Sequence, residues 1–565
     1  MTAAPGPLGA PAGVATIQPA GVAKYSGRWA EAALLGVALV LGLGGFVLTA
    51  LNRTGSSPAQ TVGVAIAFLV LTVLMHLCVR YAAPWADPVL LPTAVALNGI
   101  GLAMIRRLDL AYEVNEQWQF YVGSKQLVWT LLGVILFAAT LLLLRDYRRR
   151  RRWDRWAMWS GLVFLVLPFI PGIGQSINGA RIWIRIGPMS FQPAELSKVL
   201  LAVFFASYLV ANRDNLALAG RKVLWMSLPR ARHLGPLFIV WGVSIGVLVL
   251  QKDLGSSVLL FGLFVVVLYV ATDRPSWLLI GAALFLPAAW FAATHLHHVQ
   301  QRINGWLHAT DDAVYNAAGG SWQLLTGMFG MSTGGLMGAG WGKGSPTLVT
   351  FANSDFIFAS LGEELGLTGT LVLLVLYLVL IQRGLRTAVS LRDGFGKLLA
   401  VGLSFAIALQ IFVVIGGVTR LIPLTGLTLP FLAYGGSSLI ANWIILALLL
   451  RLSDAARRPA THAPRIIDTA ELPLSLRRRV QDAGAEETTP EAAGDAPTGT
   501  TPADAGGYAS PSAAPGFGAL ADDARPAVAV SPEAPPPPHT APDGATLRSS
   551  RAPGFTEDSD RRQLP

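Results

Sequence analysis

The sequence predicts an all-α polytopic membrane protein, threaded about twelve times through a bilayer and flanked by disordered termini. Three observations predict it. Of the 565 residues, 53% are hydrophobic and only 13% charged, whereas soluble domains carry roughly 25% charged residues. The mean hydropathy is +0.52. The apolar residues are also gathered into runs close to the roughly 20 residues that a span requires. A water-soluble enzyme of this length is therefore excluded. The single cysteine, Cys78, excludes a disulfide framework and any cysteine-based zinc or iron–sulfur site. The net charge of +10 reports Arg and Lys anchoring cytoplasmic loops rather than a nucleic-acid partner.

Residues 1–28 are rich in Ala, Gly and Pro and lack the basic start and apolar core of a signal peptide, so a disordered cytoplasmic leader is expected there. The transmembrane domain is expected over 29–454. Its twelve apolar segments lie at about 31–52, 61–81, 88–106, 124–144, 156–173, 191–211, 235–251, 255–273, 277–295, 356–381, 398–422 and 430–452. The stretch from 235 to 273 is too long for one span. A tight hairpin at Lys252-Asp253-Leu254-Gly255 divides it.

Charge orients the segments. Arg145 and Arg148 to Arg152 follow the fourth, and Arg213, Arg221, Lys222, Arg230 and Arg232 follow the sixth. Arg383, Arg386, Arg392 and Lys397 follow the tenth, and Arg457 and Arg458 follow the twelfth. All four clusters fall after even-numbered spans, which places them and both termini in the cytoplasm. Residues 296–355 then form one large extracellular loop. Residues 455–565, rich in Ala, Pro, Gly, Thr and Asp, cannot bury a core and are expected to be a disordered cytoplasmic tail.

Charged groups in or beside spans are expensive, so each is a candidate. Glu195 and Lys198 stand three residues apart at the start of the sixth span, on one helical face. They either neutralise each other or line a cavity. Asp253 either caps the next helix or holds a ligand. Asp355 stands at the end of the extracellular loop, where a falling dielectric can raise a carboxyl pKa and make a general base. Ser354 or Asp355 would equally serve as a helix N-cap. Glu363 and Glu364 follow inside the tenth span.

Ahead of Asp355 lies a glycine-dense run from Gly327 to Gly344. Its Gly342-Lys343-Gly344-Ser345 resembles a phosphate-binding P-loop. It fails the spacing, because Met337 occupies the first glycine position and Gly344 follows the lysine, so nucleotide binding is rejected. His295, His297 and His298 suit a headgroup interface better than a metal.

Four stretches, in order, resemble one family. They are Asn178-Gly179-Ala180-Arg181-Ile182-Trp183 with Gln192-Pro193-Ala194-Glu195; Asp253-Leu254-Gly255; Asp355-Phe356-Ile357-Phe358-Ala359 with Gly362-Glu363-Glu364-Leu365-Gly366; and Pro423 to Pro430 with Tyr434-Gly435-Gly436-Ser437-Ser438. At these spacings residues 88–454 resemble the SEDS family (shape, elongation, division and sporulation) of bacterial cell-wall synthases. The resemblance implies a GT-C-like helical bundle of about ten spans, with those at 31–52 and 61–81 added as in actinobacterial members of the RodA branch. It implies a peptidoglycan glycosyltransferase that polymerises lipid II at the outer face of the plasma membrane. Asp355 matches the family's essential aspartate, and Glu195 and Lys198 match a polar pair inside the bundle. The substrate site is expected to draw on Arg181, Glu195, Lys198, Asp253, Lys343, Glu363 and Glu364, with Arg181, Lys198 and Lys343 set against the leaving group's charge. A divalent cation (Mg or Mn) and a class B penicillin-binding protein are the expected companions. The chain departs from the family where Thr350-Phe351-Ala352-Asn353-Ser354 replaces a Pro-Glu-x-His-Thr sequence, at Ile182, and at Gln251-Lys252. Two other readings share the same threading, a lipid II flippase and a division-specific FtsW-type synthase.

Overall fold

The computed structural model describes residues 27–54, 59–114, 122–144, 154–177, 179–187, 189–213, 222–223, 226–227, 231–317 and 319–458. Apart from 27–28 and 455–458, the expected leader and tail lie outside these residues, as do Arg145 and Arg148 to Arg152. Although 170–173, 419–422 and 430–435 lie outside helices, each of the twelve apolar segments overlaps a helix. These are α1 (Gly27–Thr54), α2 (Ala59–Ala82), α3 (Leu90–Val114), α4 (Val122–Leu143), α5 (Asp154–Val166), α6 (Pro193–Ala211), α7 (Ala231–Leu250), α8 (Leu254–Thr272), α9 (Ser276–His295), α13 (Ile357–Ser390), α14 (Gly394–Val418) and α15 (Gly436–Arg457). Among the described residues, nine are long and apolar enough to cross a membrane. The other three are α3, α5 and α7.

Local chemistry sets the ends. Pro193 occupies the first turn of α6, where its missing N–H is not needed. Asp253 and Asp393 cap α8 and α14, accepting from Ser256 N at 3.0 Å and Gly396 N at 2.8 Å. Between α7 and α8 the chain breaks at Lys252, whose φ is 61°. The 34-residue α13 kinks at Gly366, where φ is 69° and ψ −170°.

Two regions depart from the expected plain loops. The link between α5 and α6 is a three-stranded antiparallel sheet of β1 (Gly174–Ile177), β2 (Ala180–Ile186) and β3 (Met189–Phe191), in register Gly174 to Ile184 and Arg185 to Ser190. The reason is legible in β2 itself, where Ile182, Ile184 and Ile186 alternate with Arg181, Trp183 and Arg185 at the two-residue period of a strand. A second, two-stranded sheet joins Lys222–Val223 to Met226–Ser227. Residues 296–355, expected as one loop, carry α10 (His297–Leu307), α11 (Asp312–Tyr315) and α12 (Trp322–Gly334).

Lipid tails are as apolar as leucine, so close packing rather than water exclusion must hold such helices together. The centre is α15, where Trp443 is fully buried between Phe137 and Phe431, with ring centroids at 5.9 and 5.2 Å. Gly133 of α4 leaves the space that this indole fills. At the periphery α9 turns Leu279, Leu286 and Trp290 outward, with Trp290 67% exposed. A surface of that composition is stable only against hydrocarbon, and the chain is a multi-pass membrane protein.

From Thr419 to Gly435 the chain is neither helix nor strand, and its second half is buried. Side chains from surrounding helices supply the hydrogen bonds its carbonyls lack. Gln410 donates to Thr428 O at 2.8 Å, Tyr377 to Pro430 O at 2.6 Å, Asn98 to Phe431 O at 3.1 Å and Gln126 to Ala433 O at 3.2 Å. A Tyr377→Phe variant keeps the shape and removes one donor. Its expected effect is a loss of about 1–2 kcal/mol of stability, read as a lower thermal midpoint in detergent; an unchanged midpoint would show that the Tyr377 bond is dispensable.

Candidate active site

Asp355 stands in a tight turn ahead of α13. Ser354 N donates to Phe351 O at 3.0 Å and Phe356 N to the same carbonyl at 3.2 Å, with Phe351 at φ 56°. Phe356 and Ile357 are fully buried, and Tyr434 N donates to Asn353 O at 2.7 Å, which ties the turn to the loop before α15. The helix N-cap is Phe356, and no side chain caps α13. The capping alternative for Ser354 and Asp355 therefore fails, and the Asp355 carboxylate is left available.

Its neighbours are Arg302 and Gly426. A Cβ placed on Gly426 would lie 3.6 Å from Asp355 Oδ2 and 3.7 Å from Arg302 Nη2, so both groups converge over this glycine, whose φ is 78°. Arg302 is held there by donating Nη1 to Leu424 O at 3.0 Å. Burial pushes the Asp355 carboxyl up to about 6, although the Ser354 hydroxyl and the Arg302 charge both oppose that shift. Burial likewise lowers the Arg302 pKa, and the charges of Asp355 and Asp253 counter it. A carboxylate with this value is ionised at neutral pH yet basic enough to accept a proton.

Asp253 caps α8 and in addition accepts from Gln192 Nε2 at 3.0 Å. Both of its expected roles remain compatible with its place, since its charge reaches Arg302. Lys198 Nζ lies 2.6 Å from Glu195 Oε2 and donates to Gln410 Oε1 at 2.7 Å, all within the buried bundle. Lys198 also lines a mostly apolar cleft with Leu165, Ala194, Leu248 and Leu259. Because Gln410 bonds the same loop that carries Gly426, this pair is mechanically linked to the Asp355 turn.

Glu363 and Glu364 face another way. Glu364 accepts from Arg107 Nε at 2.7 Å and from Gly342 N at 2.9 Å, and Glu363 accepts from Ser345 N at 2.6 Å. Together they grip residues 338–345, here termed the glycine strap. Gly338, Gly340 and Gly342 adopt φ of 82°, 95° and 80° there, which only glycine does readily. Lys343 is exposed on the strap, and Arg181 is half-buried on β2; neither contributes to the charge felt by Asp355. His295 stacks on Phe291 with centroids 4.4 Å apart. Among the described residues no three His, Cys, Asp or Glu side chains gather to hold a metal ion.

Sequence reasoning missed Arg302 and Gln410. Gln410 had a signal, being a lone amide in an apolar span. Arg302 had none, because a charged residue in an aqueous loop is ordinary until the loop folds back.

Fold and site together define a polytopic helical membrane protein in which a carboxyl raised to about 6 and a guanidinium converge over Gly426. Residues 88–458 match the FTSW_RODA_SPOVE family, described as cell cycle proteins, and the chain belongs to that family. It is 46% identical over 439 residues to the Mycobacterium tuberculosis protein named peptidoglycan glycosyltransferase RodA, covering 78% of this chain and 93% of the relative. It is 33% identical over 371 residues to the Geobacter metallireducens protein named probable peptidoglycan glycosyltransferase FtsW, covering 65% and 94%. A solved chain from a peptidoglycan synthase complex shares 26% identity at a TM-score of 0.46, covering 70% of this chain and 98% of that one.

Removing Lys198 alone strands a buried carboxylate. Lys198→Met is therefore expected to lose about 3–5 kcal/mol of stability, and adding Glu195→Gln should recover most of it. Unfolding in detergent reads both, and a double variant no better than the single one would refute the pairing.

Proposed function

We propose that the chain is a peptidoglycan glycosyltransferase of the RodA type, polymerising lipid II into glycan strands at the outer face of the plasma membrane for cell elongation. The observation that carries the reading is the uncapped Asp355 carboxylate, raised to about 6 and set beside Arg302 over the open Gly426. Asp355 takes the proton of the acceptor N-acetylglucosamine 4-hydroxyl. That oxygen attacks C1 of the donor N-acetylmuramic acid with inversion, and undecaprenyl pyrophosphate leaves. Arg302 favours the ionised base. Arg181 and Lys343, which pair with no carboxylate among the described residues, and Lys198 in its cleft offset the leaving group's charge. Glu195 and Asp253 shape the cavity wall, and Glu363 and Glu364 fix the strap.

The basic clusters after even-numbered spans support an outward-facing Asp355 and cytoplasmic termini. Arg383 and Arg457, members of two of those clusters, both reach Asp87. A class B penicillin-binding protein supplies transpeptidation. Among the described residues no three candidate ligands gather, so a Mg or Mn ion would be held chiefly by substrate pyrophosphate oxygens. The reading needs no nucleotide.

The test is purified protein, co-expressed with its penicillin-binding partner, given lipid II and divalent cation, with products separated by size. Glycan ladders are expected from the native protein and none from folded Asp355→Asn. Transfer of labelled lipid II across liposomes without ladders would replace the reading with a flippase. Only the carboxylate form accepts a proton, so the rate should rise between about pH 5 and pH 7, half-maximal near 6. A flat profile across that range would remove Asp355 from the role of base.

A further inference from the structure

The glycine strap is gripped on one side by the family-matched core. Arg107 Nη2 donates to Gly344 O at 2.6 Å, and Glu363 and Glu364 hold Ser345 N and Gly342 N. The other side rests on α1, a helix that precedes the matched segment. Asn52 Nδ2 donates to Trp341 O at 2.6 Å. The Trp341 indole lies against Gly45, where an added Cβ would come within 2.9 Å of Cζ2. At Gly342 an added Cβ would meet Asn52 Cβ at 3.2 Å and Thr49 O at 3.5 Å. The seat is itself rigidly placed, because α1 crosses α3 at Gly42 and Gly99 with a Gly42 Cβ falling 2.8 Å from Gly99 Cα. That approach is possible only between small residues.

We propose that the last turns of α1 are a positioning element for the proposed polymerase reaction: Gly45 and Asn52 seat Trp341 and the glycine strap, and so set the turn that carries Asp355. The inference rests on the polymerase reading and adds to it a part supplied from outside the matched segment. Neither Gly45 nor Asn52 touches substrate. Both act through Trp341 and the strap, which continues through a short 3₁₀ turn at Pro346–Leu348 into the Asp355 turn. Helix α1 thus completes a clamp of which Arg107, Glu363 and Glu364 are the other jaw.

The experiment compares wild type, Gly45→Leu, Asn52→Ala and Gly45→Leu/Trp341→Ala as full chains with the penicillin-binding partner, over a range of lipid II concentrations. Thermal midpoints in detergent are measured alongside. Gly45→Leu is expected to lower kcat about 10- to 100-fold with KM nearly unchanged, since the donor is still bound but the base is misplaced. Asn52→Ala, exposed and mild, is expected to lower kcat about three- to tenfold. Trimming Trp341 in the double variant relieves the clash but also removes the indole that α1 seats, so kcat should stay low; full recovery would overturn Trp341 as the coupling. Wild-type kcat in folded Gly45→Leu and Asn52→Ala overturns the inference. So does a kcat that falls only in step with the folded fraction, because that marks α1 as mere support. A wild-type protein that makes no polymer overturns the polymerase reading itself, and this inference with it.

Discussion

A backbone carbonyl inside a membrane-embedded bundle has no water to bond, and the irregular chain between Thr419 and Gly435 carries several of them inward. Gln410, Tyr377, Asn98 and Gln126 answer that demand from four different helices, and Arg302 answers it at Leu424. Each donor is fixed in place by the bond it must make. Two of them are fixed usefully. Gln410 presents its other end to Lys198, and Arg302 presents its guanidinium to the space over Gly426. Tyr434 N adds a third tie by holding Asn353 in the Asp355 turn. The site is therefore a consequence of satisfying this loop.

Charge follows the same logic of compulsion. Glu195 meets Lys198, and Glu364 meets Arg107, because an isolated buried charge is far costlier than a paired one. Glu363 and Glu364 each also give one oxygen to a backbone N–H of the glycine strap. Asp253 caps a helix. Asp355 caps none, and its carboxylate faces a guanidinium across an open glycine. A group relieved of structural duty and raised toward neutrality is the kind that can exchange a proton during turnover.

Much of this architecture was readable before any coordinates. Hydrophobic runs marked each of the helices that carry the twelve apolar segments, since length and composition alone decide whether a segment can lie in hydrocarbon. The break at Lys252, the proline start of α6 and the Asp253 cap also have local causes. The β1–β3 sheet was overlooked although β2 alternates clearly, because a scan for spans passes over short segments between them. The helices within 296–355 are short, at 11, 4 and 13 residues, and the same scan for spans passes over them. Arg302 could not be picked from its surroundings in the chain, where it is one basic residue in a polar stretch.

By itself the sequence determined the class of protein, the number of apolar segments, and the candidacy of Asp355 through its motif. It did so because solvent preference and short motifs are properties of neighbouring residues. It left open whether Asp355 caps a helix, whether Glu363 and Glu364 face the substrate or satisfy a neighbouring element, and what stands opposite the carboxylate. Those answers join Asp355 to Arg302 and Gly426, and Trp341 to Gly45, across long stretches of chain. Only packing brings such residues together, so only the tertiary structure could decide them.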